Sequence, residues 1–177
     1  PELVDEMSRN PESFSMEGES REMTVLFTDV RGFTTISEGL DPKQLSQLMN
    51  EFLTPLTEVI YKHRGTVDKF MGDCIMAFWG APLADPAHAR NGILAGLEMH
   101  EALKKLKPEF QARGWPEIKI GVGLNSGRVR VGDMGSEVRR AYTVMGDAVN
   151  VASRLEGRTK FYGVGILVGE VTKGLVK

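Results

Sequence analysis

The sequence predicts an α+β fold built on a mainly antiparallel sheet with helices packed on one face. Three observations carry that expectation. Strand-like and helix-period segments follow one another in the order β, α, β, β, α, β, the order of a ferredoxin-like split βαβ core. Two of the strand-like runs are separated only by Met71-Gly72-Asp73, a turn short enough to make a hairpin. The chain has 177 residues, 41% apolar and 26% charged, which suits one globular domain with a sizeable core.

Residues 1–21 mix Pro, Ser, Asn, Gly and charge and read as an approach segment, with the domain proper spanning residues 22–177. MTVLFTD is the first strand and ends at Asp29. Asp41 followed by Pro42 suits an N-cap and first helical turn. From there Leu45, Leu48, Met49, Phe52, Leu53, Leu56, Val59 and Ile60 recur at spacings of three and four, one face of a helix that Pro55 should kink. TVDKFMGDCIMAFWG is the hairpin, with Asp73 at its tip. A long helix is expected from about Asp85 to Arg113, turning Ile93, Leu94, Leu97, Leu103 and Leu106 to the core. IKIGVGLNSG and RVRVGDMG read as a pair of strands and AYTVMG as a short one. DAVNVASRLEGRTKF is helical and GILVGEV a closing strand.

Composition excludes several roles. A net charge of -2 gives no general attraction to nucleic acid, and Arg128, Arg130, Arg139 and Arg140 are too few for a groove-tracking surface. The single cysteine, Cys74, rules out an internal disulfide and sits in an apolar strand, where packing is its expected role. No apolar run approaches the roughly 18 to 20 residues that cross a bilayer. His63, His88 and His100 lack metal-ligand spacing. Phosphate-loop, dinucleotide, nucleophile-elbow and zinc-helix motifs are absent from the sequence.

Three constellations remain. Asp29 ends an apolar strand, where an unpaired carboxylate is costly, and a split βαβ arrangement brings it to the same sheet edge as Asp73. Two carboxylates that close repel unless neutralised, and hard oxygen donors favour magnesium or manganese over zinc. Taken singly, each Asp also suits a turn or cap. Gly32, Phe33 and Thr34 would begin a short helix whose free N–H groups can hold phosphate oxygens, although a plain strand-to-helix turn uses Gly as readily. Asn150 and Arg154, four apart, share a helix face that could orient a hydroxyl and meet phosphoryl charge, or could be a solvated face.

The segments EMTVLFTDVRGFTTISE, VDKFMGDCIMAFWGAP, GVGLNSGRVRVGDMGS and AYTVMGDAVNVASRLE together resemble the catalytic domain of class III nucleotidyl cyclases, over most of residues 22–168 and in the family's order. The resemblance implies that Asp29 and Asp73, helped by the Val30 carbonyl, bind two divalent cations, magnesium or manganese. It implies that Asn150 positions the ribose and Arg154 stabilises charge on the α-phosphate of ATP. Lys69 matches the family's purine-reading lysine, and its partner falls at Thr143; this pair suits adenine, whereas guanylyl cyclases typically carry Glu and Cys there.

The family's active sites lie between two catalytic domains. This chain carries both halves, which implies a homodimer with two equivalent sites. Thr143 resembles the bacterial subgroup associated with bicarbonate stimulation. That subgroup often follows membrane or sensory domains, so a cytoplasmic domain tethered by an upstream part is expected. The family usually continues into a further hairpin with a phosphate-contacting Lys, and its additional phosphate Arg falls at Arg139 or Arg140. The expected activity is an adenylyl cyclase making cyclic AMP and pyrophosphate. A guanylyl cyclase and a catalytically idle, signal-relaying dimerisation module are the alternatives.

Overall fold

The computed structural model describes residues 18–135 and 140–176. Their elements run β1 (Glu19–Val30), α1 (Phe33–Glu38), α2 (Pro42–Lys62), β2 (Thr66–Met71), β3 (Cys74–Trp79), α3 (His88–Ala112), β4 (Ile120–Gly135), β5 (Arg140–Met145), α4 (Asp147–Tyr162), β6 (Ile166–Val168) and α5 (Glu170–Leu175). The sheet order is β2-β3-β1-β4-β5, antiparallel throughout, with β6 added parallel to β4. This is the expected mixed α+β fold. β1 begins at Glu19, inside the stretch read as an approach segment.

Strand alternation in β1 sorts the core into two. Leu26 and Val30 face one way, joining Ile75, Ala77, Trp79, Val122 and Leu124 beneath α2 and α3. Met23, Val25 and Phe27 face the other way, with Met76, Phe78, Val129, Val131 and Val144. The two long helices α2 and α3 cover the first face as expected, and α4 adds cover on part of the second through Val149 and Ala152. On α2, the Asp41 side chain accepts from Gln44 N at 2.8 Å, the predicted cap, and the helix continues through Pro55 to Lys62.

The structure corrects three sequence-based expectations. IKIGVGLNSG and RVRVGDMG are not two strands but one sixteen-residue strand, β4, whose pairing with β1 runs unbroken from Val131 to Ile120. Gly127 suggests a turn, yet it is there for packing: a Cβ on it would lie 3.1 Å from Ala148 Cβ. GILVGEV pairs only over Ile166–Val168 before α5 begins. Gly169 sits so close that a Cβ would meet Asn125 Oδ1 at 2.0 Å, and its N–H bonds to Leu124 O at 2.8 Å. On α3, Leu94 and Leu97 are exposed, at 38% and 52%. Leu103 is in the core and Ile93 and Leu106 pack against it as expected, and the rest of the inward face is Gly92, Ala95, Gly96 and Met99. Small residues let that helix close on Leu124 and Val122, so a pattern read from large side chains misses the glycine and alanine positions of the interface and adds Leu94 and Leu97.

A buried polar chain ties four elements together. Thr24 Oγ1 lies 2.7 Å from His88 Nδ1 and 2.6 Å from Ser126 Oγ, which in turn lies 2.7 Å from Thr172 Oγ1. All four residues are buried, so these bonds replace lost hydration.

Candidate active site

The end of β1 and the tip of the β2–β3 hairpin meet at one edge of the sheet. Gly72 takes a φ of +63° in the two-residue connection between Met71 and Cys74, a conformation that glycine adopts without strain. The hairpin tip is then pinned to β1, because Val30 N donates to Asp73 Oδ2 at 3.0 Å. Asp73 therefore lies against the residue that follows Asp29. Burial, then hydrogen bonding and charge from Asp73, then the charge of Glu156, push the Asp29 carboxyl up to about 7, with Lys160 opposing.

Glu156 comes from the inner face of α4. It is buried, its Oε1 has no hydrogen-bond partner, and burial raises its pKa against the pull of Lys160 and Arg31. Cys74, beside this cluster, has its thiol pushed up to about 12, chiefly by burial, which keeps it protonated and supports a packing role. Among the described residues no three Asp, Glu, His or Cys side chains stand close enough to hold a metal ion unaided. The donor chemistry still fits a hard divalent cation. Two carboxylates meet at an open edge with excess negative charge, and such ions commonly complete their shell with phosphate and water oxygens.

α1 starts three residues after Val30. Gly32, at φ +63°, takes the cap position with no side-chain cap, and Phe33 packs back on the first core. The predicted strand–turn–helix around Gly32, Phe33 and Thr34 is thus present.

Asn150 and Arg154 both project from the exposed side of α4. Glu156 is two residues beyond Arg154, about 200° round the helix at roughly 100° per residue, and turns towards the sheet. The structure therefore does not bring Asn150 and Arg154 onto the aspartates of their own chain. Arg139 and the side chain of Arg140 lie outside the described residues.

Lys69 and Thr143 are brought together, although β2 and β5 lie at opposite ends of the β2-β3-β1-β4-β5 order. Thr143 Oγ1 donates to Asp68 Oδ2 at 2.5 Å, and Lys69 Nζ lies 3.7 Å from Oδ1 of the same carboxylate. Tyr142 and Phe78, with ring centroids 6.2 Å apart, help close β5 over this face. Asp68 sits at the register shift between Val67 and Lys69, with a side chain only 2% exposed. Sequence reasoning missed both Asp68 and Glu156. An alternating strand pattern does not show the bulge that turns Asp68 inward, and Glu156 resembles any other helix-surface glutamate until α4 is placed.

The sequence model described as the adenylate and guanylate cyclase catalytic domain matches residues 16–176. The chain belongs to the class III cyclase catalytic domain family. It is 42% identical over 147 residues to adenylate cyclase 1 of Rhizobium meliloti (strain 1021), covering 83% of this chain and 22% of that protein. It is 39% identical over 155 residues to an adenylate cyclase of Anabaena cylindrica, covering 85% and 30%. The chain thus spans under a third of the length of either relative. Among solved structures, the guanylyl cyclase Cya2 superposes with a TM-score of 0.84 at 36% identity, over 92% of this chain and 81% of that one. The adenylyl cyclase CyaB from P. aeruginosa gives 0.83 at 36%, over 90% and 82%. In this cyclase domain no helix of the described residues is long and apolar enough to cross a membrane.

Proposed function

We propose that this cyclase domain converts ATP to 3',5'-cyclic AMP and pyrophosphate at sites shared between two copies of the chain. The observation that carries the choice of base is the meeting of Lys69 and Thr143 on one carboxylate from opposite ends of the strand order. A Lys ammonium can donate to adenine N1, and a Thr hydroxyl whose hydrogen is already engaged can accept from the 6-amino group. Overall likeness does not choose between purines, since Cya2 and CyaB match equally well. The alternative reading, a guanylyl cyclase, draws its support from Cya2; Lys69 and Thr143 favour adenine.

Asp29 and Asp73 would hold magnesium or manganese, aided by the Val30 carbonyl. Such ions, when bound, acidify a coordinated hydroxyl and offset triphosphate charge. The chain's own groups supply the rest. Asn150 of one copy holds the ribose so that O3' faces the α-phosphorus. Arg154 meets the negative charge gathering on the α-phosphate, and N–H groups of Gly32, Phe33 and Thr34 hold phosphate oxygens. The O3'–P bond forms as the bond from the α-phosphorus to the bridging oxygen breaks. The hydroxyl proton passes to solvent and pyrophosphate departs.

The deciding experiment offers purified protein equal ATP and GTP with magnesium or manganese and identifies products by mass spectrometry. Cyclic AMP, dependent on metal and abolished in Asp29→Ala, is expected; cyclic GMP as the main product overturns the reading. Mixing inactive Asp73→Ala with inactive Asn150→Ala should restore activity through one intact shared site. No recovery in mixed dimers would rule out sharing.

A further inference from the structure

We propose that Asp68 is a specificity-determining positioning residue. It fixes the polarity of the Thr143 hydroxyl, so that the site accepts a hydrogen bond at the purine 6-position and disfavours purines that present an oxygen there. The inference rests on the adenine-reading role given above to Lys69 and Thr143, and assigns the group that gives that pair its direction.

The geometry is specific. A hydroxyl has one hydrogen and two lone pairs, and by itself reads an amine or a carbonyl equally well. An ionised carboxylate is acceptor only, so the 2.5 Å contact between Thr143 Oγ1 and Asp68 Oδ2 commits the hydroxyl hydrogen to Asp68. The lone pairs of Thr143, which is only partly buried, are what remain for a ligand. The other carboxylate oxygen faces Lys69 Nζ at 3.7 Å, while the Lys69 side chain stays 48% exposed and free to reach a base. Asp68 itself, 2% exposed, has no room to serve a base directly. One carboxylate thereby prepares a donor and an acceptor, the complement of adenine N1 and its 6-amino group. Guanine and hypoxanthine present the reverse, an N1 hydrogen and a 6-oxygen. The bulge between Val67 and Lys69 makes this possible, because regular alternation would put Asp68 and Thr143 out of reach.

The test compares kcat/KM for ATP, purine riboside 5'-triphosphate, which lacks the 6-amino group, and inosine 5'-triphosphate, which carries a 6-oxygen. Each ratio is taken on a single preparation, so the folded fraction cancels. Thr143→Val should lower the preference for ATP over purine riboside triphosphate by roughly three- to tenfold, the worth of one hydrogen bond, and Thr143→Ser should retain it. Asp68→Asn should lower that ratio by a similar factor and raise the use of inosine triphosphate relative to ATP, since an amide can donate to Thr143 and free its hydrogen. Asp68→Asn combined with Thr143→Val should lose no more than Thr143→Val alone. A merely structural role for Asp68 would depress all three substrates together.

If Thr143→Val changes the ratio and Asp68→Asn does not, Asp68 has no such role and the adenine-reading pair stands. If Thr143→Val leaves the ratio unchanged, the base-reading assignment itself fails and the proposal with it. Asp68→Ala provides the same ratio should Asp68→Asn be too unstable to purify, and an unaltered ratio there overturns the proposal equally.

Discussion

Replacing Gly123 with alanine should loosen α4 and with it the helix-borne half of the site. A Cβ at this position would stand 2.3 Å from Glu156 N, 2.5 Å from Ala152 O and 2.8 Å from Glu156 Cα, all backbone atoms of α4. No rotamer relieves such a clash. Moving from 2.3 Å to the 3.4 Å of ordinary contact requires the helix to retreat by about 1 Å, prising Val149 and Ala152 from the second core. Overpacking typically costs 1–3 kcal/mol, and a clash with fixed backbone belongs at the upper end, about 3 kcal/mol. For a chain of this length each kcal/mol lowers Tm by about 2–4 °C, so a fall of roughly 6–12 °C is expected in thermal unfolding followed by circular dichroism. A displacement of about 1 Å at Asn150 and Arg154 should also reduce kcat by up to roughly 100-fold. Gly157, on the same helix with nothing within 4 Å of its added Cβ, is the matched control. A Gly123→Ala protein melting within about 2 °C of wild type with unchanged turnover would show that α4 is not seated on β4 as described.

The control is a prediction in its own right: Gly157→Ala should stabilise by about 0.5–1 kcal/mol, because it replaces a flexible residue in a helix interior at no steric cost, and a lower Tm would contradict the open space there. His88 has a pKa lowered by burial, with Asp85 and Glu22 opposing. Its folded value lies below the unfolded 6.5, so the neutral ring's contribution is complete above pH 6.5 and is lost as pH falls through the folded value. Urea titrations should therefore show wild type losing more stability than His88→Gln as pH falls below 6.5; parallel curves would refute this. For Asp29 the sign is opposite. Its folded value, about 7, lies above the unfolded 3.8, so the linked stability is full below 3.8 and is lost as pH rises through 7. Under the proposed function a cation at Asp29 would compete with that proton, so magnesium should raise Tm increasingly between about pH 6 and pH 8, and the gain should largely vanish in Asp29→Asn.

Much of the fold was legible because its signals are local. Asp41 and Pro42 mark a helix start wherever they fall, and Gly72-Asp73 marks a hairpin, so α2 and the β2–β3 turn were found from short windows. The errors share a different cause. Gly92, Gly96, Gly127 and Gly169 are small because another element passes close by, and sequence alone presents them as turns or gaps. The same holds at the site. Asp29 and Asp73 stand out in the sequence because one ends a strand-like run and the other sits at a hairpin tip, whereas the contact of Asp68 with a residue 75 positions away is announced by no strand pattern.

The arrangement of α4 supplies the last step. Glu156 turns to the sheet beside Asp29, while Arg154 stands nearly opposite on the same helix and Asn150 about 120° away, both exposed, so turning α4 to bring them to their own aspartates would expose Val149 and Ala152. Under the proposed function these residues serve one nucleotide, and because they face apart on one chain they would act together across a second copy. The exposed apolar side chains follow the same division. Phe70 and Met71 flank the hairpin tip that carries Asp73, Met145 precedes the start of α4, and Phe161 and Tyr162 end it, each at least 45% exposed. Apolar surface at those places suits burial against a partner, and under the proposed function association of two chains both covers it and completes each site. Any signal that separates or rotates the pair by a few ångströms would then switch turnover without touching the fold of either copy.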